Sequence, residues 1–321
     1  MKRRHRLRIK LGEGCRAYYH LMSRTVNGEK WFGLREKEYL RKLIRQVAEF
    51  SGVRVVTYTV MDNHFHVLAE VPPERVVSDG EIVRRFAALY PEPTPWQPLT
   101  ADALAELLAA NDVRGQELRE ELLGRMHDVS WMMKTIKQRF AIWFNRARER
   151  FGPVWSERFR SVLVEGDVKA LRTVAAYIDL NGVRAGLADD PKDYRFCGYA
   201  EAVAGHGTAA DGLAVLACGG LAGYRQSLFG IGAAPKEGKA AIDPAAAARV
   251  IDGEGGRLSM PEVLRSRCRY LSDSLVIGSR NFISEALKPL ESRRKRPIRP
   301  QPMEGADWEG LNVFPRIGPE K

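Results

Sequence analysis

The run VRVVTYTVMDNHFHVLAEV, residues 53–71, limits the fold more than any other part of the chain. Val, Thr, Tyr and Phe crowd both halves, and β-branched and aromatic side chains suit a pleated, half-buried surface. Between the halves stands Asp62-Asn63, a pair that readily turns the backbone. The pattern predicts a β-hairpin, with strands over 53–61 and 64–71.

The flanks continue an alternation of strands and helices. CRAYYHLMSR (15–24) has the aromatic and β-branched character of a strand. Leu40, Leu43, Ile44 and Val47 recur at helical spacing in 35–52, and Gly52 marks the stop. Six prolines at 72, 73, 91, 93, 95 and 98 predict a long connection without regular structure over 72–98. Helices are expected at about 100–124 and 129–150, and a strand over 152–166. Asp167 is a good N-cap for a helix over 168–181 that ends at Gly182. Strand, helix, two strands, helices, strand, helix is the layout of an α+β sandwich with a mainly antiparallel sheet. Beyond about residue 205 Gly and Ala dominate, GIGAAPKEGKAAIDPAAAARV (230–250) reads as a linker or loose helix, and a helical module is expected at 260–289. The expected division is therefore 1–205 and 206–321, the second part mostly helical with a basic tail.

With 321 residues and 45% apolar content the chain can build a sizeable core. Its 51 Lys and Arg against 40 Asp and Glu give a formal charge of +11, clustered in KRRHRLRIK, KTIKQRFAIWFNRARER and ESRRKRPIRP. Clustered positive charge fits nucleic acid, because each neutralised phosphate releases condensed counterions; a solvated basic face that maintains solubility is the plainer alternative. Cys15, Cys197, Cys218 and Cys268 show no close pairing that would indicate a zinc site or a disulfide framework. No apolar run has the length of a signal peptide or membrane span, so a cytoplasmic, nucleoid-associated protein without membrane contact is expected.

Alternation on a strand sends His64 and His66 to the same face. Neighbouring imidazoles can grip one divalent cation; equally, they can be half-buried strand histidines satisfied by hydrogen bonds. In the helix 168–181 the apolar stripe is Leu171, Val174, Ala175 and Ile178, and Thr173, Tyr177 and Asn181 run along one edge of it. A hydroxyl and an amide oxygen one turn apart could act as nucleophile and metal ligand, or Tyr177 could simply pack its ring and send its hydroxyl to water.

Four stretches in register, AYYHLMSRTVNGEKWFG, YTVMDNHFHVLAEVP, FNRARERFGPVWSERFRS and AAYIDLNGVRAGLADDPKDYRFCGY, resemble the single-tyrosine HUH transposases, an insertion-sequence type of enzyme, and within them the REP-associated tyrosine transposases. The resemblance spans roughly residues 5–202. It implies a ferredoxin-like catalytic domain, a divalent metal (Mg2+ or Mn2+) held by His64 and His66 with Asn181 as third ligand, and Tyr177 as nucleophile. It further implies single-stranded or hairpin DNA as substrate, a covalent 5′-phosphotyrosine, and a monomer or homodimer. The family reads Asn-Pro where this chain has Asn181-Gly182, which predicts a looser helix end. Arg139, Arg146, Arg148, Arg150 and Arg158 are the candidate DNA-binding residues, with Trp143 or Phe151 as stacking partners for bases; Ile136, Phe140, Trp143 and Phe144 also sit at helical core spacing. Segment 292–299 is expected to add non-specific DNA affinity. A domesticated hairpin-binding protein and a metal-dependent hydrolytic nuclease are the alternative functions.

Overall fold

The structure is a computed structural model; it describes residues 14–73, 75–229, 270–291, 299–304 and 308–315. The basic start of the chain, the stretch 230–250, Cys268 and most of the 292–299 segment lie outside the described residues.

The hairpin forms as its composition predicts, with β2 (Arg54–Val60) and β3 (His64–Val71) joined through Met61–Asn63. The turn is pinned from outside: Lys37 pairs with Asp62 at 2.7 Å and Asn63 Nδ2 donates to the Gly28 carbonyl at 2.6 Å. β1 (Ala17–Arg24) runs antiparallel beside β3, and β4 (Arg160–Val164) lies antiparallel on the far side of β1. The four strands stand in the order β2-β3-β1-β4, the ferredoxin-like arrangement within an α+β fold. Three more strands, β5 (Ser274–Gly278), β6 (Gln301–Pro302) and β7 (Asn312–Pro315), extend the sheet to seven, with β5 parallel to β4.

Helix α1 (Leu34–Ser51) buries Leu40, Leu43, Ile44 and Val47 and stops at Gly52, whose φ of 60° lies in the left-handed region that glycine tolerates best. Between β3 and β4 come α2 (Asp79–Leu89), α3 (Ala101–Ala110), α4 (Val113–Leu123) and α5 (Val129–Ala147). α5 packs on α1 and sinks Ile136, Phe140 and Phe144 into the core, while Trp143 stacks on Tyr39 with ring centres 4.1 Å apart. After β4, α6 (Val168–Asp179) begins at the Asp167 cap, whose carboxylate accepts from Lys169 N at 2.9 Å, and packs against β2 and β3. A single turn, α7 (Asn181–Arg184), continues it, followed by α8 (Gly198–Val203), α9 (Gly207–Ala214) and α10 (Gly220–Phe229).

Four expectations need correction. The proline-rich stretch 72–98 is not all loop, because α2 occupies its middle; the prolines flank a segment in which Ser78 caps Glu81 N and Ile82, Phe86 and Leu89 are buried. The strand expected over 152–166 is confined to Arg160–Val164, since 152–159 forms bends and a bridge. In 260–289 the apolar run Ser274–Gly278 is a strand, where the buried edge of β4 supplies it with backbone partners. The helix end at Gly182 is not loose. The backbone continues helically through α7, and a Cβ at 182 would come within 2.7 Å of the Tyr194 ring.

Candidate active site

Residues directly opposite each other on antiparallel strands share a face of the sheet. Register pairs Met22 with His66 and Arg24 with His64, so β1 presents His20, Met22 and Arg24 on the face where β3 presents His64 and His66. α6 packs on the sheet and brings Tyr177 to the histidines; α7 contributes Asn181.

α6 is held from the side opposite the histidines. Asp179 accepts hydrogen bonds from Thr57 Oγ1 at 2.7 Å, Tyr224 Oη at 2.7 Å and Tyr199 N at 3.3 Å. Full burial pushes its carboxyl up to about 7, against the pull of these three donors toward the charged form.

His64, His66 and Tyr177 line a cleft of about 550 Å³ together with Met22, Arg24, Arg158, Arg160, Asn181, Arg184 and Asp273. The His66 and Tyr177 rings meet edge to face with centres 6.0 Å apart, and the His64 and His66 rings are 5.1 Å apart. The His20 and His66 ring centres lie 5.0 Å apart with the ring planes 28° from parallel, and His20 lies 6.0 Å from Tyr177. The residues predicted for nucleophile and metal binding are thus gathered in one place from β3, α6 and α7.

A cation needs neutral imidazoles with an open nitrogen lone pair. Burial pushes His64 down to about 4 and His66 well below its ordinary value, so both are neutral at physiological pH. His64 Nδ1 lies 2.6 Å from Asn63 Oδ1, and the amide is oriented by the bond from its own Nδ2 to Gly28. The oxygen can only accept, so Nδ1 of His64 carries the hydrogen and Nε2 the lone pair. Asn181 Nδ2 donates to the carbonyls of Tyr177 and Ile178 at 3.1 and 3.2 Å, which makes Oδ1 its coordinating end. Among the described residues no three or more His, Cys, Asp or Glu side chains are arranged to hold a metal, so a cation here would rest on two imidazoles and an amide oxygen. The side chains present fit such an ion.

The five arginines chosen from the sequence separate. Arg158 lines the cleft. Arg139 donates to the Leu89 carbonyl at 3.0 Å and covers the Tyr90 ring, Arg148 pairs with Glu36 at 2.8 Å, Arg150 lies 4.2 Å over Trp31, and Arg146 is exposed near the end of α5. Phe151 is 95% exposed, but outside the cleft lining. Arg184 was missed by sequence reasoning although its spacing was informative. It stands seven residues after Tyr177, two helical turns, and its guanidinium sits 4.1 Å over the tyrosine ring. Arg24, Arg160 and His20 were missed because only strand register places them here; Arg160 is paired with Glu157 and Asp273.

Residues 15–88 match the family model described as Transposase IS200 like. The matched segment runs from β1 to α2 and includes His20, His64 and His66, whereas Tyr177, Asn181 and Arg184 lie beyond it. No curated protein matches the chain. One similar solved structure is of a REP-associated tyrosine transposase bound to a REP hairpin, with 15% identity, a TM-score of 0.38, and coverage of 64% of this chain and 86% of that one. Among the described residues no helix is long and apolar enough to cross a membrane. Through residues 15–88, then, the chain carries the sequence pattern of the IS200-like transposases, in keeping with the resemblance read from its motifs.

Proposed function

We propose that this protein is a DNA strand-transferase that cuts and rejoins single-stranded or hairpin DNA through a phosphotyrosine at Tyr177. The observation that carries the reading is the meeting of Tyr177 with His66 across a cleft, at 6.0 Å between ring centres, with Asn181 one turn further on. The IS200-like sequence pattern of residues 15–88 supports it.

Tyr177 Oη loses its proton and attacks the scissile phosphorus; the bond to the 3′ oxygen breaks, and that oxygen leaves as a 3′-hydroxyl with a proton. The phosphate is then esterified to tyrosine at its 5′ side. Since one phosphoester replaces another, a 3′-hydroxyl can reverse the attack and join a new strand without an external energy source. His64, His66 and Asn181 would hold the divalent cation, which when bound supplies positive charge to the non-bridging oxygens. Imidazole nitrogen suits Mn2+ better than the oxygen-seeking Mg2+. Arg184 places a fixed positive charge on the face of the Tyr177 ring, beside the cleft in which the scissile phosphate would sit. Arg24 and Arg158 line the same cleft and serve the flanking phosphates.

The test is a denaturing gel of the full chain with labelled single-stranded hairpin DNA and Mn2+. A slow-migrating covalent adduct that disappears in Tyr177→Phe is expected. Cutting that survives the substitution would make the protein a hydrolytic nuclease, and binding without cutting would make it a hairpin-binding protein.

A further inference from the structure

His66 is buried, and its Nδ1 does not face a carboxylate or a backbone carbonyl. It lies 2.8 Å from Nε2 of His20, a second histidine that is itself fully buried on β1. The other nitrogen of His20, Nδ1, lies 2.8 Å from the carbonyl oxygen of Leu271. Leu271 belongs to the helical turn Tyr270–Asp273 that leads into β5, far outside the segment matching the transposase family.

The chain of contacts has one consistent assignment of hydrogens. A carbonyl oxygen can only accept, so His20 Nδ1 must donate to Leu271. His20 is fully buried and its two ring nitrogens meet a carbonyl and another imidazole, and among the described residues no carboxylate stands against them to pair a charge, so the ring is neutral and carries a single N–H. Its Nε2 is therefore an acceptor, and the hydrogen between the two rings belongs to His66 Nδ1. A neutral His66 with its hydrogen on Nδ1 has its lone pair on Nε2. Reversing any one of these bonds would put N–H against N–H or lone pair against lone pair, at a cost that a fully buried pair cannot recover from water.

We propose that His20 is a positioning residue: it locks His66 in the tautomer that leaves Nε2 as a ligand nitrogen, and the Leu271 carbonyl, 251 residues further along the chain, locks His20 in turn. The two cleft histidines are then set by different means. Asn63, the residue before it, fixes His64 locally, whereas a relay from the C-terminal segment fixes His66. This gives the segment around 270–278 a part in the site beyond widening the sheet. The proposal rests on the reading of His66 as a metal ligand.

The direct test needs no metal. The full chain is labelled with 15N-histidine, stripped with a chelator, and studied by long-range proton–nitrogen correlation at neutral pH, with His66 assigned by the signals lost in His66→Gln. The expected spectrum shows His66 with Nδ1 protonated and Nε2 bare, and His20 in the same tautomer. His66 protonated on Nε2, or charged, would overturn the proposal. A second arm compares Mn2+ affinity in two variants by electron paramagnetic resonance. His20→Gln keeps an acceptor for His66 and a donor for Leu271, and is expected to bind Mn2+ within about threefold of the parent. His20→Leu is expected to bind about 10- to 100-fold more weakly, the usual effect of losing a partner behind a metal ligand. Equal losses in both variants, or none in either, would overturn the relay; if His20→Leu does not fold, the spectrum of the parent chain decides alone. A parent spectrum of the expected form without Mn2+ binding or DNA adduct would sink the transferase reading and leave the tautomer lock standing. An adduct with the opposite tautomer would do the reverse.

Discussion

On one side of α6 Asp179 is buried with three donors around its carboxylate; on the other, two residues earlier and two later, Tyr177 and Asn181 face the cleft. The first side is closed and satisfied by the protein alone. The second, with Tyr177 and Asn181, borders an open cleft. Since Tyr177 and Asn181 ride on the same rigid turns as Asp179, the inner network sets where Tyr177 stands without crowding it, an arrangement that suits the proposed role of its oxygen. The histidines repeat the division, with His20 turned inward to Leu271 and His64 and His66 lining the cleft.

The largest way to break this comparison is at Asp179. Asp179→Ala strands the Thr57 and Tyr224 hydroxyls and the Tyr199 amide, at about 1–3 kcal/mol for each buried group left without a partner. Expected is a destabilisation of several kcal/mol in urea, with the adduct lost as the helix loses its anchor. Asp179→Asn sharpens the same point. The native carboxyl is raised to about 7, so between the unfolded value near 3.8 and 7 the folded state binds more protons than the unfolded one. The contribution of Asp179 to stability is thus fully present below that window and falls as pH rises through it, by roughly 4 kcal/mol at 1.36 kcal/mol per unit. His20 and His64, held near 4, work in the opposite sense, losing stability as pH falls below 6.5. The stability of Asp179→Asn minus that of the parent is therefore expected to grow from pH 4 to 7 and then level off. A difference independent of pH would show that the buried carboxyl is not raised.

A smaller effect is expected where α7 joins the body. Gly182→Ala drives a methyl into the Tyr194 ring, which cannot easily retreat because its hydroxyl donates to the Val60 carbonyl at 2.6 Å. Overpacking of this kind costs about 1–3 kcal/mol, read as a shift of the urea midpoint. If the midpoint does not move, the close packing inferred for this turn is wrong. The smallest effect belongs to the cleft surface. Arg158→Ala should lower the slope of DNA affinity against salt by about one phosphate contact, while Arg146→Ala, outside the cleft lining, should leave it unchanged. Equal losses would mean that the DNA runs along α5 as well as through the cleft.

Much of this comparison was legible in the sequence. The hairpin declared itself through its β-branched residues, and alternation alone put both cleft histidines on one face. Tyr177 and Asn181 were legible as a line along a helix edge, because 3.6-residue periodicity is local. What failed was non-local. His20 reads as one polar residue in an aromatic strand until register sets it diagonal to His66. Ser274–Gly278 is too short an apolar run between helical segments to be read as a strand until the edge of β4 is known. α2 differs in kind: prolines stand at the borders of 72–98 and do not govern its interior, where Ser78 and the Ile82, Phe86, Leu89 stripe carry a local helix signal.

The most direct measurement is a peptide map of the covalent product. Trypsin cuts after Arg172 and Arg184, releasing Thr173–Arg184 with Tyr177 as its single tyrosine among the ten in the chain. After reaction with single-stranded hairpin DNA, Mn2+ and nuclease trimming, the expected result is a nucleotide joined through its 5′ phosphate to Tyr177 in that peptide. Cleaved DNA with the peptide unmodified, or the nucleotide on another residue, would contradict the account.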